Sequence, residues 1–128
     1  MNIKIIKFLN FLKNASLAHK NFIVVQNNST LLKCVEALYK EGLILSYFVL
    51  DNSKENLLYI KLRNVNDFVL TSKIKFISKP SCIRYLPYHQ ICRLTLKKKV
   101  YFFFTDKGIL TLEECKQMRI GGVLSFCV

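Results

Sequence analysis

Acidic residues are scarce in this sequence. Eight Asp and Glu residues stand against twenty Lys and Arg, which gives a formal net charge of +12 over 128 residues. No acidic residue precedes Glu36, and residues 73–99 contain none. Because solvated protein surfaces normally mix both signs of charge, so long a segment of one sign predicts a polyanionic partner. Added solubility and attachment to a membrane surface are the alternatives.

Long apolar runs and catalytic motifs are also lacking. No run reaches the ~18 residues that a membrane helix requires, and the apolar segment 43–50 is interrupted by Ser46. There is no Gly-rich phosphate loop, no G-x-S-x-G elbow and no convincing general-base pair. The sequence therefore predicts no membrane span, no enzymatic activity and no small-molecule substrate.

Ligand-spaced cysteines and histidines are missing as well. His19 and His89 lie far apart, and the five cysteines form no C-x-x-C pair. An odd number of cysteines without such pairs indicates neither a disulfide framework nor a zinc site. We expect no metal or other cofactor, and free thiols in a reducing compartment.

With 52% hydrophobic residues, two prolines and four glycines, the composition is that of a folded protein with one domain or two small lobes. Ile5, Phe8, Leu9 and Leu12 follow helical spacing, which predicts a first helix that ends near Asn14.

The rest of residues 1–64 completes an α-β-α-β-β lobe. Residues 22–26 form a β-branched run, and the polar residues 27–30 offer an N-cap for a second helix that stops at Gly42. The strand-like segments 43–49 and 57–63 flank the turn-rich hexapeptide 51–56.

A linker over 65–71 leads to a second lobe, 72–128, that is mostly antiparallel β with one short helix. Pro80 closes the first strand of this lobe, and a loop runs through Pro87. Thr111 and Glu114 form a capping box for a helix over 112–119, and Gly121 with Gly122 permits the reversal after it. The predicted strands are 73–76, 83–85, 100–104 and 123–128. The fold class is therefore α+β with two small lobes.

The second half of the chain contains Lys79-Pro80, Tyr85, Thr105 and Gly121-Gly122 in sequence. In these motifs and their spacing it resembles the family of bacterial-type small-subunit ribosomal protein eight. That family carries an arginine-proline, a tyrosine five residues on, and a strand that ends in Ser-Thr-Ser-Lys-Gly. This chain has Lys79-Pro80, Tyr85 and the pentapeptide Phe104-Thr105-Asp106-Lys107-Gly108, followed by Ile109-Leu110-Thr111 and Gly121-Gly122. The amino-terminal half resembles the family in the order and length of its elements.

The chain departs from the family pattern at four places. Phe104 and Asp106 replace two serines, and Val123 replaces an acidic residue. Three lysines, residues 97–99, replace a small Gly-x-Gly turn. The exchanges at Phe104, Asp106 and Val123 alter side chains that the family uses to contact RNA, and they leave the expected fold unchanged. The three lysines add positive charge where RNA runs close.

The resemblance implies a structural constituent of the small ribosomal subunit. Such a protein binds a short helix in the central domain of small-subunit rRNA, adjoins neighbouring ribosomal proteins, and supports subunit assembly and translation. A general RNA-binding module or a basic amphipathic membrane-surface protein is the alternative. The residues expected at the rRNA are Lys4, Lys7, Asn14, Lys79, Arg84, Tyr85, Lys97, Lys98, Lys99, Thr105, Asp106, Lys107, Gly108, Gly121 and Gly122.

Each expected contact has a structural alternative. Thr105 and the amides near Gly108 can donate to phosphate or 2′-OH groups, or can simply end a strand. Tyr85 can stack on a base of the RNA or pack against the rest of the protein. Gly121 and Gly122 can serve only to form a turn, and residues 97–99 can form a solvated loop without RNA contacts. Residues 102–104 are expected in the core rather than in a stacking platform.

The abundance of Lys, Asn, Ile and Phe indicates an AT-rich gene, as in an organelle. The first twenty residues contain no Arg and one Ser, unlike a transit peptide. Because the resemblance begins near Ile5, it leaves no room for a cleaved presequence. We expect an organelle-encoded protein of the mitochondrial matrix, in the small subunit of the mitoribosome. A plastid or the cytoplasm of an AT-rich bacterium is the alternative.

Overall fold

The computed structural model describes residues 3–65, 68–95 and 98–128, and these form helices and antiparallel sheets. The chain divides into two compact units. The first unit is Lys4–Lys73, and the second comprises Ile74–Val128 together with Ile3. The α+β fold class is confirmed. Within the described residues, no helix combines the length and apolar character needed to cross a membrane.

The first unit has the predicted α-β-α-β-β order. Its sheet is antiparallel, with β3 between β1 and β2. The elements are α1 (Ile3–Leu17), β1 (Phe22–Gln26), α2 (Ser29–Lys40), β2 (Ile44–Asn52) and β3 (Glu55–Leu62).

Helix α1 buries the predicted apolar stripe, because Ile5 and the three apolar residues spaced after it are at most 5% exposed. The helix continues beyond Asn14, where the sequence predicted its end. Ala15 and Ser16 are also buried, and the Ser16 hydroxyl is hydrogen-bonded to the hydroxyl of Thr71. The apolar stripe alone therefore placed the end of α1 one turn too early.

The ends of α2 and the hairpin that follows are set by local hydrogen bonds. The Asn28 side chain accepts a hydrogen bond from the Thr30 amide at 3.2 Å, and Gly42 takes the left-handed conformation beyond the helix, with φ +71. The hairpin turn is tighter than predicted, because Asp51 pairs with Asn56 and Asn52 with Glu55.

The predicted linker, 65–71, falls in a segment of short elements. These are β4 (Asn64–Val65), β5 (Phe68–Val69) and a 3-10 helix (Leu70–Lys73). Residues 66–67 lie outside the described residues.

The second unit is built on one antiparallel sheet. Its main path runs β6-β10-β8-β9, and β7 also pairs with β10. The elements are β6 (Lys75–Phe76), β7 (Tyr85–Leu86), α3 (Tyr88–Arg93), β8 (Tyr101–Thr105), β9 (Gly108–Thr111), α4 (Leu112–Met118) and β10 (Gly122–Cys127).

Two elements of this unit differ from the prediction. The loop predicted through Pro87 contains helix α3, so the described part of this unit has two short helices rather than one. Strand β9 was not predicted, and it pairs with β8 from Phe102↔Thr111 to Thr105↔Gly108. Both elements are too short to show a clear hydrophobic period, and their structure depends on contacts distant in sequence.

The core of the second unit lies between β8, β9 and the two short helices. Phe103 is wholly buried with Ile91 and Cys115, and Leu110 and Leu112 complete this cluster. Phe102 is also wholly buried and stacks on Phe126, with ring centroids 4.6 Å apart. The expectation that this aromatic stretch belongs to the core is confirmed for Phe102 and Phe103.

Candidate nucleic-acid interface

The turn between β8 and β9 is an exposed tip made of residues 105–108. Thr105 pairs with Gly108, and the exposed residues Asp106 and Lys107 form the turn between them. Gly108 has φ +112, a conformation that L side chains rarely adopt. The Thr105 hydroxyl donates to the Gly108 carbonyl oxygen at 2.9 Å, so its single proton is used within the tip. In this geometry the hydroxyl offers a partner an acceptor, not the donor expected from the sequence.

The glycine pair is explained by close packing. A Cβ on Gly122 would lie 2.7 Å from the Phe104 carbonyl oxygen, and one on Gly121 would lie 2.9 Å from the Leu86 carbonyl oxygen. The glycines with positive φ among the described residues are Gly42 and Gly108, so the pair does not make the bend by left-handed backbone. That conformation belongs to Arg119, the C-cap of α4, with φ 57.

Packing at the glycines brings several expected site residues together. The Tyr85 hydroxyl would lie 3.0 Å from a Cβ on Gly121, and Thr105 Cγ2 would lie 2.8 Å from one on Gly122. Tyr85 nevertheless remains 62% exposed, so packing leaves much of its side chain accessible. We call this group the tip surface; its members are Tyr85, Thr105, Asp106, Lys107, Gly108, Gly121 and Gly122.

Two basic residues extend from a loop fixed beside Tyr85. The Leu124 amide donates to the Arg84 carbonyl oxygen at 2.9 Å, and the Ser78 hydroxyl accepts from the Arg84 amide at 3.1 Å and donates to the Leu124 carbonyl oxygen. Lys79 closes a small turn with Cys82 through two hydrogen bonds of 3.0 Å. Lys79 and Arg84 are both exposed, so they add positive charge next to the tip surface.

The structure does not bring Lys98 and Lys99 to the tip surface. Lys98 and Lys99 are exposed and precede β8, whereas the tip follows it. The five residues of β8 span about 15 Å at the usual rise of a strand. Lys97 lies outside the described residues. Lys98 and Lys99 can therefore contact only a different part of a bound polyanion.

The expected residues of the first unit share one face of α1. Lys4, Lys7 and Asn14 are exposed, and their spacing places them along one side of the helix. Phe11 lies between them on this side and is 43% exposed. Sequence reasoning missed Phe11, although its position off the buried stripe, between Lys7 and Asn14, was a usable signal.

The described residues contain no group of three or more His, Cys, Asp or Glu side chains arranged to hold a metal ion. Burial raises the pKa of the Cys34 thiol to about 12 and that of Cys115 to about 11. Both thiols therefore stay protonated at neutral pH and serve as packing groups.

Comparison with known proteins identifies consistent relatives. The sequence model of the family described as Ribosomal protein S8 matches residues 4–128. Small ribosomal subunit protein uS8m of Acanthamoeba castellanii is 31% identical over 102 residues, which cover 78% of each chain. Small ribosomal subunit protein uS8 of Geobacillus stearothermophilus is 28% identical over 95% of this chain and 93% of its own, and that of Bacteroides fragilis is 25% identical over 95% of both.

Proposed function

The chain belongs to the Ribosomal protein S8 family of small-subunit ribosomal proteins, and from this premise we propose that it binds a short helix in the central domain of small-subunit rRNA. Its contribution is binding that supports subunit assembly and translation, not catalysis. Its partners are the rRNA and neighbouring proteins of the small subunit.

The tip surface is the observation that carries this proposal. The turn residues Asp106 and Lys107 are exposed, Gly122 lets β10 pack closely beneath this turn, and the exposed Tyr85 adjoins Gly121. A helix of RNA presents a wide, shallow minor groove with 2′-hydroxyl groups, which such a surface can approach closely. The Thr105 oxygen accepts from a 2′-OH group, and the backbone amides of the turn residues Asp106 and Lys107 donate to it or to phosphate.

Charge around the tip surface fits the same partner. Lys79, Arg84 and Lys107 are exposed beside or within it and can neutralise phosphates. The Asp106 carboxylate would repel a phosphate, so we place it opposite a 2′-OH group or a base amine. Lys98 and Lys99 reach phosphates at a separate stretch of the RNA backbone.

The exposed face of α1 supplies further contacts to the RNA backbone. Lys4 and Lys7 contact phosphates through their ammonium groups, and the Asn14 amide donates to the sugar-phosphate backbone. These contacts position the RNA and add salt-dependent affinity without reading its sequence.

A mitochondrial location is part of the proposal, with a plastid or bacterial cytoplasm as the alternative. One relative is the uS8m form, while other relatives are uS8 proteins of bacteria. The abundance of Lys, Asn, Ile and Phe, which have AT-rich codons, adds support for an organelle-encoded product.

Sedimentation with isolated small subunits tests the function directly. We expect the tagged full chain to cosediment with small subunits, and chemical footprinting to show protection in the central domain of the rRNA.

The paired variant Lys79→Gln with Lys107→Gln should weaken this protection, whereas Lys33→Gln with Lys54→Gln, at two exposed lysines outside the expected site, should not. Protection confined to another rRNA domain would refute the central-domain assignment. Recovery with anionic vesicles instead of small subunits would favour the membrane-surface alternative.

A further inference from the structure

A groove of about 670 Å³ opens in the first unit, beside the exposed face of α1. It lies between the amino-terminal half of α1, the end of β1 and the start of α2. Its volume is typical of pockets that take small organic ligands. The residues that line it are Lys4, Lys7, Phe8, Phe11, Val25, Gln26, Asn27, Asn28 and Leu31.

The walls of this groove are apolar and partly aromatic. Phe8 is almost fully buried and closes one side, whereas Phe11 is 43% exposed. Val25 and Leu31 are half-buried and provide flat aliphatic surface. A planar ring can therefore contact an aromatic side chain and aliphatic side chains within the same groove.

One polar atom of a lining residue, Asn27, lacks a hydrogen-bond partner. The Asn27 side chain is held by its amide nitrogen, which donates to Asn56 Oδ1 at 2.9 Å, and its backbone amide donates to the Asn56 carbonyl oxygen. Asn27 Oδ1 is buried and has no hydrogen-bond partner. Buried acceptors are nearly always satisfied, so this oxygen calls for a donor from a ligand or from water.

The groove is positively charged, which favours a negatively charged occupant. Lys4 and Lys7 stand on the α1 side, and none of the described residues that line the groove is acidic. An apolar peptide would leave the Lys7 ammonium group and the Asn27 acceptor unused. An occupant that combines a flat apolar ring, an N–H donor and a negative charge uses all three features.

We propose that this groove binds one unpaired nucleotide of the rRNA, with the base against Phe11 and the phosphate at Lys7. The base donates from an exocyclic amine or ring N–H to Asn27 Oδ1, and Gln26 reads the rest of its edge. The inference rests on the proposed rRNA-binding function and adds to it a base-contacting site in the first unit. Sequence-specific recognition of RNA generally uses unpaired bases in this way.

Single-stranded RNA hexamers of A, C, G or U, titrated into the 15N-labelled full chain, test the site. We expect the side-chain amide signals of Asn27 and Gln26 to shift, and one base to bind more tightly than the others. Phe11→Leu should weaken this binding about fivefold to a hundredfold, as loss of base stacking does. Phe22→Leu is the matched control, because Phe22 is 63% exposed and does not line the groove.

Salt dependence separates the two parts of the proposed contact. Lys7→Gln should reduce the slope of log affinity against log salt by about one, since it removes one phosphate contact. Phe11→Leu should lower affinity with the slope unchanged, because stacking releases no counterions. The inference would be overturned if Phe11→Leu bound the hexamers as tightly as the unaltered chain. It would also be overturned if Phe22→Leu lost as much affinity as Phe11→Leu.

The outcome also distinguishes this site from the proposed function. If the chain cosediments with small subunits but the hexamers leave the groove signals unmoved, the groove proposal fails and the rRNA-binding proposal stands. If the chain neither cosediments nor binds any RNA, both fail.

Discussion

Gly122 lies so close to Phe104 that a Cβ on the glycine would be 2.7 Å from the Phe104 carbonyl oxygen. The same Cβ would be 2.8 Å from Thr105 Cγ2. Side-chain carbons essentially never approach backbone oxygens this closely, so β10 or β8 must shift to admit one. Because Thr105 begins the tip, packing at Gly122 links the stability of the sheet to the shape of the tip surface.

Replacement of Gly122 by alanine should destabilise the protein by about 1–3 kcal/mol, the usual cost of overpacking. Urea unfolding monitored by circular dichroism measures this change. Asp106→Ala, at an exposed turn position, should stay within about 0.5 kcal/mol of the unaltered chain. Equal stability of the two variants would show that the Gly122 backbone relaxes without cost.

The second prediction concerns the two described lysines before β8. Lys98→Gln with Lys99→Gln should weaken rRNA binding and reduce its salt slope by about two, or one per lost phosphate contact. Binding measured across a salt series gives both quantities. The paired control, Lys33→Gln with Lys54→Gln, makes the same change in net charge at exposed positions elsewhere. An unchanged slope in the first pair would identify Lys98 and Lys99 as solvated charges.

Local signals in the sequence were sufficient for several elements. The Thr111 and Glu114 capping box is present as predicted, because its two hydrogen bonds depend only on residues three apart. Gly42 was likewise identified from its place after an amphipathic helix. The order of the first unit followed from hydrophobic period and turn residues together.

Features that depend on distant contacts could not be predicted. The sequence predicts a turn at Gly121 and Gly122. Their packing against Leu86 and Phe104 forms only when β10 lies between β7 and β8. The separation of Lys98 and Lys99 from the tip likewise follows from the course of β8. The groove beside α1 requires three elements to meet, so its Asn27 acceptor had no signature in the sequence.

The third prediction tests the N-terminus of α4. Thr111 Oγ1 accepts a hydrogen bond from the Glu114 amide at 3.4 Å, and the Glu114 carboxylate accepts one from the Thr111 amide at 3.0 Å. Thr111→Ala removes the first bond and should cost about 1 kcal/mol in the free energy of unfolding. Thr111→Ser keeps the hydroxyl and should lose less. A loss of the same size in both variants would assign the effect to packing of the buried threonine methyl group.

The fourth prediction concerns thiol reactivity and its dependence on pH. Cys82 and Cys92 are exposed and should react with iodoacetamide in the folded protein, whereas Cys34, Cys115 and Cys127 are buried and should not. Burial raises the pKa of Cys34 from 9.0 to about 12, so the folded chain keeps a proton that the unfolded chain loses in this range. Stability should therefore fall as pH rises above 9.0, less steeply in Cys34→Ala. Pulse labelling with peptide mapping and urea unfolding across alkaline pH measure both effects. Labelling of Cys34 as fast as Cys82 at neutral pH would contradict its burial.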